Sequence, residues 1–234
     1  MIITVISQKG GAGKTTTATN IAAELHARAQ VDGGSVMLVD ADPQRSAADW
    51  ASVGLEQGYS VPTTVAMGAD MHKRTQLPQL ADQYHHVVID TPPGGSTDAG
   101  KITRSSLLVA DLALVVCRPS PHDLNAIGRT LDLLDEVRET LREDLVAAMV
   151  IAQRPPQRIV IAEDSIRALR EEDSLRICAN ELYSRAAYQY SAAAGQGVTI
   201  TEPRSKAAEE IRLLVDELVA LVAASEGGDH VQAA

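Results

Sequence analysis

Lys9-Gly10-Gly11-Ala12-Gly13-Lys14-Thr15-Thr16 decides how this chain is read. Before it lies Ile2-Ile3-Thr4-Val5-Ile6, a β-branched run that reads as a strand buried on both faces. After it, Thr15 to Ala29 reads as a helix. Strand, glycine-rich loop and helix form the context in which such a loop cradles phosphate. Glycines let successive backbone N–H groups turn inward, and the helix N-terminus adds its partial positive charge. Lys14 would then reach the outer phosphates, and the Thr15 hydroxyl would ligate Mg2+. One position departs from the general pattern Gly-x-x-x-x-Gly-Lys-[Ser/Thr]: Gln8 stands where the first glycine belongs.

Working outward, strands and helices alternate. Ser35–Asp40, His86–Asp90, Leu112–Cys117 and Leu145–Ala152 read as strands, with a short one at Leu175–Cys178. Helices are expected at Ser46–Val53, Asp98–Val109, His122–Thr140, Ile159–Glu172 and Arg185–Ala193. The stretch from Gly54 to Leu80 is least legible, with a strand near Tyr59–Val65 and a short helix before Pro78. Val198–Thr201 reads as a last extended piece. A final helix starts at Pro203, carries Ala207, Ala208, Ile211, Leu214, Val215, Leu218 and Val222 at helical spacing, and stops at Gly227-Gly228. Such alternation predicts an α/β domain with a mainly parallel, twisted sheet covered by helices on both faces. One domain over 1–226 is expected, with a disordered tail over 227–234.

The 234 residues are 45% hydrophobic and 22% charged, as in an ordinary globular chain. The formal net charge of −10 argues against a surface coated in basic residues for nucleic acid. With one Trp, five Tyr and no Phe, aliphatic side chains must fill the core, and an aromatic base-stacking platform is excluded. Cys117 and Cys178 suit buried positions in a reducing cytosol. His85-His86 reads as an edge or solvent feature. No apolar stretch approaches the ~20 residues needed to span a bilayer, and no signal peptide is legible. A soluble, cytoplasmic protein is expected.

Lys-Gly-Gly-x-Gly-Lys-Thr-Thr resembles the deviant Walker A box of the ParA/MinD ATPases, with Lys9 in the place of their signature lysine. The resemblance implies a single-domain P-loop NTPase that takes ATP and Mg2+. It implies a cradle of Gly10, Gly11, Ala12, Gly13, Lys14, Thr15 and Thr16, and a Lys9 that reaches across a dimer to the partner's phosphates. Only five lysines occur in the chain, and two lie in this loop.

Asp40-Ala41-Asp42-Pro43-Gln44 resembles the family's switch I box, in which Asp42 would orient and activate the attacking water and Asp40 would support the metal shell. Both aspartates also suit an Asx turn or a helix cap before Ser46. Asp90 resembles the Walker B aspartate that holds Mg2+, and Thr91-Pro92-Pro93-Gly94 resembles switch II; a plain turn is the other reading. In the loop from Arg118 to Leu124, Asp123 would contact a nucleotide or a partner, or simply cap a helix. Gln153-Arg154-Pro155-Pro156 falls where relatives bind adenine, and Arg154 could stack on the base.

The resemblance extends through the C-terminal third. Residues 151–212 hold nine basic and nine acidic side chains, so the charge excess lies outside that segment. Arg185, Arg204, Lys206 and Arg212 are candidates for a small DNA-facing patch assembled across a dimer, or ordinary solvated charges. The implied cycle is that of a short plasmid-type ParA: an ATP-dependent homodimer binds double-stranded DNA without sequence preference on the nucleoid. A ParB-like centromere-binding adaptor then stimulates its slow hydrolysis, driving plasmid or chromosome partition. The alternative is an orphan relative that positions a protein assembly such as a chemoreceptor cluster. A membrane-recruited, MinD-like regulator fits less well, because Glu209, Glu210, Asp216 and Glu217 put acid on the last helix. The chain starts at its first strand, leaving no room for an operator-binding helix-turn-helix ahead of it.

Overall fold

In a computed structural model of the chain, which describes residues 1–94, 96–157, 159–171 and 175–228, the hydrophobic runs line up as one sheet. Its strands are β1 (Ile2–Ile6), β2 (Val36–Asp40), β3 (Thr63–Ala66), β4 (His86–Asp90), β5 (Leu112–Cys117), β6 (Val146–Ile151) and β7 (Arg176–Ile177). They lie in the order β3-β2-β4-β1-β5-β6-β7, and every pairing is parallel. Parallel strands need crossovers, and nine helices supply and extend them among the described residues. These are α1 (Lys14–Val31), α2 (Ser46–Glu56), α3 (Leu77–Ala81), α4 (Thr97–Leu107), α5 (Pro121–Thr140), α6 (Val160–Glu171), α7 (Ala186–Ala193), α8 (Val198–Thr201) and α9 (Lys206–Gly228).

Alternation along each strand divides the core between the two faces. Val36 and Leu38 of β2 meet α1, α2, α7, α8 and α9 on one side. Met37 and Val39 meet α3 and α4 on the other, while β5 and β6 pack there against α4, α5 and α6. Trp50 and Tyr188 are the aromatic members of the buried core; Ala, Val, Leu, Ile and Met fill the rest with Cys117 and Cys178.

Three expectations shift. Val198–Thr201 is a helix rather than an extended piece, because tertiary contacts override its β-branched side chains. Asn20 of α1 accepts from the Val198 N–H at 2.8 Å, starting the turn, and among the described residues no strand lies beside it to pair. The third strand lies at Thr63–Ala66, not Tyr59–Val65, in register with Met37–Asp40. The short helix includes Pro78 in its first turn, where a missing N–H costs nothing, instead of ending before it. At the C-terminus α9 takes in Gly227 and Gly228; the expected tail over 229–234, like Gly95 and Glu172 at the ends of predicted segments, lies outside the described residues.

One close approach locks α2 to the turn after α7. A Cβ on Gly54 would lie 2.2 Å from the Gly195 carbonyl oxygen, and one on Gly195, whose φ is +62°, would lie 2.1 Å from the Gly54 nitrogen. Neither obstacle is a flexible side chain. Gly54→Ala should therefore cost roughly 3 kcal/mol, seen as a fall in Tm of about 10 °C. A fall below 3 °C in a thermal melt would show that the two backbones separate cheaply.

Candidate functional site

The loop between β1 and α1 is built to meet an anion. Gly11 and Gly13 adopt φ of +74° and +100°, a region that side chains rarely enter. Gly13 is the N-cap of α1 and no side chain caps the helix, leaving its first-turn N–H groups to an external acceptor. Gly10 and Thr16 are exposed, Ala12 is buried, and Lys14 is only 6% exposed. Burial pushes the Lys14 ammonium below its ordinary pKa, while Asp90 and Asp42 pull it back up.

The departure at Gln8 has a structural counterpart. Gly94, in the loop after β4, lies so close to Gln8 that a Cβ there would sit 1.6 Å from Gln8 Oε1 and 3.0 Å from Gln8 Cα. The glycine missing at the start of the phosphate loop reappears on the loop facing it.

Three carboxylates stand beyond the strand ends, and they differ. Asp90 is fully buried; its Oδ2 accepts from Thr15 Oγ1 at 2.6 Å, and its Oδ1 is buried with no partner among the described residues. Burial pushes its pKa up to about 7, against the Thr15 hydrogen bond and Lys14, which lower it. A buried carboxylate oxygen without a donor, beside a hydroxyl, fits a bound cation. Among the described residues, no three acidic, His or Cys side chains gather as a closed metal cage. Mg2+ characteristically takes one or two protein ligands and completes its shell with phosphate and water.

Asp40 is committed differently. Its Oδ1 accepts from the Asp42 N–H at 3.1 Å and its Oδ2 from the Ala48 N–H at 2.8 Å. It thus caps α2 from a distance, in place of Arg45, the left-handed N-cap residue with φ +58° that makes no side-chain cap. Both Asp40 oxygens thereby shape the turn that follows β2. Asp42 is half-buried; its Oδ1 accepts from the Gln44 N–H at 2.9 Å in an Asx turn.

Lys9 does not project outward. Its Nζ lies 2.8 Å from Oδ2 of Asp123, which is 4% exposed at the start of α5 and also takes the Ser120 hydroxyl. The Ser120 side chain, not Asp123, caps that helix, so Asp123 is the lysine's anchor.

Arg154 and Arg185 exchange the surroundings expected of them. A cavity of about 210 Å3 beside the phosphate loop is walled by Gly13, Thr16, Gln153, Tyr183, Ser184 and Arg185, among others. Arg154 lies outside it, paired with Glu163 at 2.7 Å and with buried Glu181. Its guanidinium lies over the Tyr183 ring, 5.3 Å from the centroid. Arg185 is 5.2 Å from the same ring and is held by Glu210 at 2.5 Å. Arg212 donates to the Pro203 and Thr199 carbonyls. Of the four basic candidates, Arg204 and Lys206 are exposed and have no ion-pair partner among the described residues. Sequence reasoning gave Tyr183 and Ser184 no role of their own, and placed Gln153 only within the stretch expected near adenine. The position of Gln153 just past a strand end was the available signal.

No described helix is long and apolar enough to cross a membrane. Residues 3–194 match the model of the CobQ/CobB/MinD/ParA nucleotide binding domain. The chain is 33% identical over 215 residues to the "Maintenance of carboxysome distribution protein A" of Gloeobacter kilaueensis, covering 89% of this chain and 88% of that one. It is 28% identical to the chromosome-partitioning ATPase Soj of Thermus thermophilus, over 94% and 96% of the two chains. Its fold superposes on apo McdA from Cyanothece with a TM-score of 0.74 at 17% identity, spanning 93% of this chain and 98% of that one.

Proposed function

The chain belongs to the CobQ/CobB/MinD/ParA nucleotide-binding family, and on that premise we propose that it is a Mg2+-dependent ATPase whose ATP-bound sandwich dimer positions a cargo along DNA. The observation that carries this reading is the convergence of Lys14, Thr15, Asp42 and Asp90 at the ends of β1, β2 and β4, with Asp90 Oδ1 left unpartnered. When bound, Mg2+ would neutralise the charge that develops on the phosphates. Thr15 and Asp90 would hold it, and Lys14 with the N–H groups of residues 10–16 would hold the phosphates. Asp42 would orient the attacking water, on a turn that Asp40 fixes. Lys9 would leave Asp123 and reach the partner protomer's phosphates as the dimer closes.

A protein assembly is the cargo that similarity favours, since the relative at 33% identity is named for carboxysome distribution. Partition of a DNA molecule with a ParB-like adaptor is the second reading, supported by the likeness to Soj. Deleting the gene in its host separates them, because one predicts a mislocalised assembly and the other plasmid or chromosome loss.

Both readings need DNA contact gated by ATP, which duplex binding with ATP, ADP and no nucleotide tests directly. If Arg204 and Lys206 of two protomers each neutralise one phosphate, affinity should fall about a hundredfold between 50 and 200 mM salt. Binding that ignores nucleotide, or no binding at all, would remove the DNA-positioning reading and leave the ATPase standing.

A further inference from the structure

We propose that Gln153 is a positioning residue for the phosphate loop, holding the Gly11–Ala12 peptide in the orientation that a phosphate meets. The Gln153 side-chain amide Nε2 donates to the Gly11 carbonyl oxygen at 3.0 Å. Because a peptide unit is planar and trans, fixing that carbonyl fixes the Ala12 N–H on the opposite edge. The same Nε2 would lie 3.1 Å from a Cβ at Gly13, so Gln153 also flanks the glycine that opens α1. One side chain therefore holds Gly11 and lies against Gly13, the two glycines of positive φ in the loop.

The backbone that aims this side chain is itself constrained. Gln153 has φ of +54°, in the left-handed region that residues other than glycine uncommonly enter. Neighbouring hydrogen bonds hold it there on both sides. The Ala152 N–H donates to the Cys117 carbonyl at 2.8 Å, the Arg154 N–H to Leu182 at 3.0 Å, and the Ser184 N–H to Arg154 at 2.7 Å. A strained conformation persists where its surroundings over-determine it, and here it directs an amide at the loop. Gln153 also walls the 210 Å3 cavity, opposite Ser184 and Arg185. A ligand filling that cavity touches the side chain that sets the phosphate loop, which ties the two halves of one binding site together.

The inference rests on the nucleotide-binding reading, and its test separates the two. Gln153→Met keeps the length and removes the donor; Gln153→Gly removes the donor and relieves the backbone. In the nucleotide-free protein, both variants should shift the amide resonances of Gly11 and Ala12 while the thermal melt of Gln153→Gly stays at or above wild type. Affinity for fluorescent ATP and ADP analogues should fall about tenfold in both, the worth of one hydrogen bond to an organised site. Unmoved Ala12 resonances, or affinities within twofold of wild type, would overturn the role of Gln153. Failure of the wild-type protein to bind either analogue would instead overturn the nucleotide reading, and the resonance shifts would still judge Gln153.

Discussion

Asp42→Ala should lower ATP hydrolysis at least about a hundredfold while leaving ATP binding within about threefold of wild type. The asymmetry follows from where Asp42 sits. Its backbone N–H is held by Asp40, which also takes the Ala48 N–H, so truncating the Asp42 side chain gives up the Gln44 bond and leaves Asp40, Ala48 and α2 in place. No hydrogen bond joins Asp42 to the phosphate loop among the described residues, so the cradle keeps its shape. What disappears is a half-buried carboxylate near Lys14 and Asp90, the group available to align a water. A chain that binds ATP without cleaving it should accumulate as dimer. Size-exclusion chromatography with ATP and a phosphate-release assay read both quantities. Hydrolysis at the wild-type rate would remove Asp42 from the mechanism, and loss of ATP binding would make it a structural residue of the cradle.

The parts of this site that were legible from sequence are those where one residue type is required by local chemistry. Glycines of positive φ, a lysine at a helix start and aspartates closing hydrophobic strands each follow from short stretches of chain, and all lie at the carboxyl edge of the sheet. The roles of the arginines were not legible, because an arginine's function depends on which carboxylates the fold brings to it. Glu163 and Glu181 reach Arg154 from a helix and a loop 9 and 27 residues further on, and Glu210 reaches Arg185 from α9. The same holds for Lys9, whose Asp123 anchor is 114 residues away. The misread Val198–Thr201 segment has a related cause: its β-branched side chains favour a strand, but Asn20 starts a helical turn there. Charge shows the pattern once more. Equal numbers of acids and bases in 151–212 suggested a neutral surface, yet two of the four basic candidates are spent on internal partners, leaving Arg204 and Lys206 outward.

Lys14→Met should abolish measurable ATP binding, a loss of at least about a hundredfold, and at the same time raise the Tm of the nucleotide-free protein. Lys14 is buried with its ammonium, and burial is the leading influence on it, outweighing the attraction of Asp90 and Asp42. The folded chain therefore disfavours that charge, and methionine of similar length fills the same space without it. Asp90 loses a nearby cation in the variant, but burial already pushes its pKa up to about 7, so it can hold a proton instead. A net gain near 1 kcal/mol corresponds to about 2–4 °C in a chain of this size. Added ATP and Mg2+ should then reverse the order: wild type gains stability by mass action as nucleotide binds, and the variant does not. Differential scanning fluorimetry with and without ATP and Mg2+ reads both halves. A variant that melts below wild type without nucleotide would mean that Lys14 is a net stabiliser, held by its carboxylates. A variant stabilised by ATP as strongly as wild type would place the phosphates elsewhere. The expected crossing of the two melting orders reflects a loop whose groups are organised for a ligand at the expense of the empty fold.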